Sequence, residues 1–412
     1  MIDGQSYPIV RMVTRNRRNA ILLSLLTLVA YSTFILSGSA EVLYQWSKSF
    51  APYDVREHLG MSKRYLLQYG HLVFLFTLLF LSRYIFIDTK DFPFSEKIIS
   101  TVAKYTPAVF LFHFPILFFL AAVTNYDRTE LFDQVFLLVS VLTISVLLGK
   151  MCFLMKPAYD KCEAKALTFL TEKYPVKVDV ERVPLRLTQA HSQYLNFVKI
   201  VSMGAIVLGH FSFKEFTIYS LPGFDGSAPR FAVPVFFMLS GYFLMLSIDR
   251  SKVSAPVLFF RRFWSLYYLI VPMLFFVPLL DNIGYAEGAQ FYQYDDYYVF
   301  ERERGPLGVP IFLATWINSL LYFNEIWLYT LSGLSDLRGG IVAFSNDPYW
   351  FICYLIPYTL LMIVWRMVQG LKKYLIISLI CLIIGPPILM LAPLFFVGSL
   401  AYILHKRLGD PL

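Results

Sequence analysis

Hydrophobic residues in this chain come in long unbroken runs, without the two-residue or 3.6-residue alternation of half-buried strands and helices. Runs at 20–36, 65–81, 105–123, 135–155, 194–213, 231–248, 263–280 and 350–367 each approach the roughly 20 residues that cross a bilayer. The stretch 374–404 is too long for one crossing and is broken by Pro386 and Pro387, which predicts two short spans joined by an outer proline turn. The expected fold is therefore an all-α polytopic transmembrane bundle of about ten spans. A further apolar run, 309–331, has no basic flank and is expected to be re-entrant or to lie on the outer surface, because a crossing there would demand others.

The polar residues between the runs set the orientation. On this plan 23 of the 36 Lys and Arg fall in inner loops, ten in outer loops and three within spans, the asymmetry of the positive-inside rule. Both termini are then cytoplasmic. Arg11, Arg15, Arg17 and Arg18 ahead of the first run, with Gly38, Ser39 and Ala40 after it, also fit a secretory signal. The run is longer than the ~7–15 residues of a signal core, so a retained first span is expected. Three regions follow: four spans over 1–155, a cytoplasmic linker over 156–193 that is partly helical at 158–173, and six spans over 194–412 with an outer region at 281–348.

Composition agrees. The chain is 57% hydrophobic and 16% charged, against about 25% charged in soluble domains. The net charge of +8 is accounted for by the inner loops, so no nucleic-acid partner is implied. Cys152, Cys162, Cys353 and Cys381 show neither metal-ligand nor redox spacing; they are expected to be reduced and structural, with no metal site.

The chemistry concentrates in 194–213, where Asn196, Lys199 and His210 interrupt an apolar span. Lys199 and His210 are eleven residues apart, about three helical turns, so both fall on one face roughly 16 Å apart along the axis, with Asn196 near the same stripe. An ionisable group in a span costs about 2.5–3.5 kcal/mol and turns toward the protein interior or a cavity. Alone, His210 fits a helix–helix hydrogen bond, Ser240–Gly241 a close helix approach, and Arg261–Arg262 ordinary inner-face anchors, although the guanidinium fork also suits phosphate.

In this order, however, the elements resemble the acyltransferase-3 family of integral membrane O-acyltransferases, in which ten residues separate an Arg from a following His. Lys199 stands in the Arg position before His210. Phe-Phe-Met-Leu-Ser-Gly-Tyr-Phe-Leu at 236–244, following Arg230, resembles the family's second element. Arg261 and Arg262 resemble the third, with Ser265 where a further Arg is usual. Asp-Pro-Tyr-Trp-Phe at 347–351, containing Trp350, and Phe-Phe-Val-Gly at 395–398 resemble later helices. The family's penultimate span carries a Tyr…His-Phe-Pro segment; here it lies upstream, as Tyr105 to Pro115 with His113. The order implies a circular permutation, or else a fusion of two partial copies.

The resemblance implies transfer of an acyl group, acetyl above all, from cytoplasmic acyl-CoA to a hydroxyl of a cell-surface or secreted polysaccharide, in a bacterial inner membrane. His210 would be general base or transient acyl carrier. Lys199, Arg261 and Arg262 would hold the donor, supported by Asn196, Ser240, Gly241, Arg230, His113 and Trp350. Acyl-CoA enters as co-substrate with no bound cofactor. The implied partners are the bilayer, a polysaccharide or lipid-linked glycan, and other polysaccharide-assembly proteins. Tyr292, Tyr294, Asp295, Asp296, Tyr297 and Tyr298 suit carbohydrate or simply a solvated loop. Two other classes stay open: a secondary transporter or lipid-linked glycan carrier using Lys199 and His210 as a relay, and an inactive family member serving as an assembly subunit.

Overall fold

A computed structural model describes residues 16–49, 59, 62, 64–86, 92–175, 184–219, 231–292, 309–327 and 343–408. Arg230 and Tyr294 to Tyr298 lie outside the described residues. The described chain is helical without strands, and nine of its helices are long and apolar enough to cross a membrane. In chain order the helices are α1 (Arg17–Leu36), α2 (Ser39–Ser49), α3 (Tyr65–Phe86), α4 (Glu96–Val123), α5 (Leu131–Lys173), α6 (Gln189–Phe211), α7 (Ala232–Arg250), α8 (Ala255–Trp264), α9 (Tyr267–Tyr292), α10 (Val309–Leu321), α11 (Trp350–Met367) and α12 (Leu371–Arg407).

The stretch expected to form two short spans is one interrupted helix, α12, counted among the nine. Its helix is interrupted at Gly385, which takes φ 71° and ψ −178°, a conformation open chiefly to glycine. Both ends of α12 gather beside the end of α11: the Lys373 ammonium lies 4.8 Å from the centre of the Trp365 ring, and Lys406 binds Asp249, which Arg366 also approaches. The element is thus a hairpin. Its break falls one residue before the two prolines. Pro386 has no N–H to offer the Leu382 carbonyl; the Trp327 indole donates there instead, at 2.7 Å.

One boundary differs from the sequence expectation. The fourth span does not end near residue 155 but continues through Pro157 to Lys173 as one 43-residue helix, about 65 Å long. Within the 309–331 run the described residues form the 13-residue α10, about 20 Å and too short to cross.

The ends of the bundle differ in charge. Arg83, Arg186, Arg250, Arg366 and Lys406 collect around a buried network at one end. There Ser82 meets His191, Tyr242 meets His405, and Tyr402 donates to Asp249. The linker returns to this end, where the Leu185 N–H donates to the Tyr402 hydroxyl and Arg83 donates to the Arg186 carbonyl. Ala20 of α1 packs with Tyr84 and Phe80, and both of those rings also contact His405 of α12, so the first and last helices pack on the same two rings of α3. The opposite end carries Asp127, Asp133 and Asp347, with Arg128 and Lys214 beside the first two. The positive-inside rule makes the basic end the one expected on the cytoplasmic side.

Glu325, in the turn after α10 and outside the spanning helices, is buried. Burial, with Asp347 adding repulsion, pushes its carboxyl from the ordinary 4.5 up to about 8. Between those values the folded chain keeps a proton that the unfolded chain has released. Stability is therefore fully present below about pH 4.5 and falls by about 1.4 kcal/mol per unit as pH rises toward 8. Glu325→Gln should flatten that decline in thermal unfolding between pH 5 and 7.5; parallel curves for variant and parent would contradict this account.

Candidate functional site

The site is built on α4 and α6, which pack along one another. Thr188 caps α6, its hydroxyl accepting from the His191 N–H at 3.2 Å, and the helix ends one residue after His210. The helix α4 carries two internal prolines, Pro107 and Pro115. Pro115 deprives the Leu111 carbonyl of its helical donor; Asn346 supplies one through Nδ2, at 2.9 Å. This ties the segment before α11 to the middle of α4. That middle holds His113.

His113 and His210 meet. Nε2 of His113 lies 2.8 Å from Nδ1 of His210, with the rings near parallel and their centres 5.1 Å apart. His113 is fully buried and His210 is 7% exposed. The tautomers follow from the other contacts. Nδ1 of His113 faces the carbonyls of Val109 and Phe110, at 2.8 and 3.0 Å, so it must carry a proton. In a neutral ring its Nε2 is then an acceptor. Nδ1 of His210 must donate to it, which leaves Nε2 of His210 with a free lone pair. This chain of donors fixes which nitrogen of His210 can take up a proton. Phe114 and Phe213 pack on the His210 ring, at 4.7 and 5.6 Å between centres. Beyond His113, α4 continues ten residues to Val123, about 15 Å, so the pair is recessed from the outer tip of α4.

The other predicted residues are distributed differently. Lys199 is partly buried on α6 and makes no hydrogen bond or ion pair among the described residues. Asn196, one turn nearer the cytoplasm, lines a cavity of about 380 Å³ with Gln189, Gln193, Glu96 and Arg250. Arg250 is a cation that the sequence marks only as an inner anchor; its place on the cavity wall depends on how α7 packs on α6. Arg261 and Arg262 are not beside Lys199. They end α8, which packs chiefly on α11 and α5, and Arg261 is within electrostatic reach of Glu163 on the α5 extension.

Gly241 serves packing. A Cβ on Gly241 would overlap the Phe395 carbonyl oxygen and lie 2.9 Å from Ser399 Oγ; one on Gly398 would overlap the Met238 carbonyl, 2.5 Å from its carbon. Backbone meets backbone at this crossing. Trp350 sits in an aromatic cluster with Tyr354 and Phe237, at 5.1 and 6.2 Å. Among the described residues no three His, Cys, Asp or Glu side chains converge as metal ligands, and the four cysteines are free.

His210 and His113 thus form a hydrogen-bonded pair with one defined proton-accepting atom, set apart from a polar cavity at the cytoplasmic end. From Asn196 to His210 is 14 residues of helix, about 21 Å. No protein-family model, curated protein or solved structure matches the chain.

Proposed function

We propose that the protein is a membrane O-acyltransferase that moves an acyl group, acetyl above all, from cytoplasmic acyl-CoA to a hydroxyl of a cell-surface or secreted polysaccharide. The observation that carries this reading is the buried His113–His210 pair. It leaves Nε2 of His210 as a base held in a fixed orientation. In the reaction Nε2 takes the proton of the acceptor hydroxyl as its oxygen attacks the thioester carbonyl. The C–S bond breaks, and the CoA thiolate recovers the proton from the imidazolium. His113 accepts the Nδ1–H bond throughout and steadies the cation formed in between. The acyl-CoA headgroup would occupy the cytoplasmic cavity, with Arg250 and Asn196 on its wall; Lys199, Arg261 and Arg262 are not part of that wall.

A second reading, a proton-coupled transporter or glycan carrier, draws on Lys199, a cation without an ion pair among the described residues and on the same face as His210. One experiment separates them. Purified protein in liposomes is given radiolabelled acetyl-CoA on the side that carries the basic end, and release of CoA and labelled product is followed. Acetyl-CoA turnover supports the transferase. Proton-driven uptake of substrate without any CoA release would replace that reading by the transporter.

A further inference from the structure

A second cavity, of about 340 Å³, has no part in that chemistry. It lies between α11 and the two legs of the α12 hairpin. Its walls are almost wholly apolar: Leu361, Ile377, Cys381, Leu389, Phe396 and Leu400, with Arg366 and Trp365 at one end. From Leu389 to Ile403 it follows 14 residues of one leg, about 21 Å, somewhat more than one leaflet of a hydrocarbon core about 30 Å thick. Exposed Leu379 and Leu382 on one leg and Leu400 on the other give the surrounding surface a lipid-facing character.

The mouth is charged. Arg366 lines it, and Lys373 stands over the Trp365 ring. Among the described residues Asp249 is the acid paired with these cations: Lys406 holds it at 2.6 Å, while Arg366 is 3.7 Å from its other oxygen. Arg366 is therefore the less committed of the two, and its side chain is 37% exposed. Tryptophan beside two cations is also the residue pattern of a headgroup boundary.

We infer that this groove is a binding site for one anionic phospholipid of the cytoplasmic leaflet, its acyl chain between α11 and α12 and its phosphate on Arg366 and Lys373. Lipid tails are as apolar as leucine, so the slot itself gives little preference among lipids. Selection rests on the phosphate and net negative charge, for which Arg is the suited donor. A zwitterionic lipid carries its own compensating cation and gains less. The site is independent of the histidine pair and stands whether or not acyl transfer does.

The test is native mass spectrometry of the full chain in detergent, titrated with dioleoyl phosphatidylglycerol or dioleoyl phosphatidylcholine. The expected result is one phosphatidylglycerol retained at about tenfold lower concentration than phosphatidylcholine. Arg366→Gln should erase that preference, and Cys381→Trp, which fills the slot from the other leg, should reduce retention of both lipids. A lipid with a diazirine in its acyl chain, applied to the unaltered protein, should label Leu389 or Phe396 ahead of the exposed α5 residue Val139, so the claim does not depend on variants that fold. Equal retention of the two lipids, a preference that survives Arg366→Gln, labelling no stronger than at Val139, or displacement by inorganic phosphate alone would each overturn it.

Discussion

His210→Ala is expected to lower acyl transfer by about 10²- to 10⁴-fold, the usual weight of a positioned general base. The Michaelis constant for acyl-CoA should stay near its original value, because the cytoplasmic cavity begins about 21 Å away along α6. The companion substitutions at His113 test the mechanism more finely. Its Nε2 accepts the Nδ1–H of His210 at 2.8 Å, so His113→Leu leaves a buried donor unpaired and frees the His210 ring to adopt the wrong tautomer. His113→Gln keeps an acceptor oxygen. Activity should therefore follow parent, then His113→Gln, then His113→Leu, then His210→Ala, with the losses in kcat. The readouts are acetyl-CoA consumption by purified protein and acetate on the surface glycan at matched protein levels. Unchanged acetate with His210→Ala would remove His210 from the chemistry. Equal activity of the two His113 variants would reduce His113 to packing.

Most of the spans were legible because a bilayer imposes a simple rule, about 20 apolar residues with basic residues inside: the runs at 65–81 and 350–367 lie wholly within helices, and those at 194–213 and 231–248 overrun theirs by two residues and one. What escaped depends on partners distant in sequence. Nothing local ends or extends a helix at Pro157, since the bond it removes is only one in a 43-residue helix. The break in α12 looked like a proline effect, yet the left-handed residue is Gly385, whose missing Cβ lets the Trp327 ring close on the turn. His113 and His210 were each visible as polar residues in apolar spans. Their direct bond, across 97 residues, required α4 and α6 to pack in one register, which periodicity alone does not set. The same holds for Arg250, drawn to the cavity, and for Arg261, drawn toward Glu163.

The largest loss of stability is expected at Gly398. Its position and that of Gly241 make α7 and the second leg of α12 cross with their backbones in contact, each glycine facing a carbonyl of the other helix, Met238 for Gly398 and Phe395 for Gly241. A methyl at Gly398 has no flexible side chain to displace; the helices themselves must part. Overpacking of this kind costs about 3 kcal/mol at the upper end of its usual range. Parting would also strain the Ser399 bond to the Gly241 carbonyl and the Tyr402–Asp249 bond further along the same helix pair. Gly204 supplies the contrast. It lies within α6 with no atom within 4 Å of a built Cβ, and alanine there should stabilise the helix by roughly 0.5–1 kcal/mol. Thermal unfolding in detergent should therefore place Gly398→Ala well below the parent and Gly204→Ala at or slightly above it. If Gly398→Ala melts with the parent, the two helices do not touch at their backbones, and the mid-span Ser-Gly pair needs another explanation than packing.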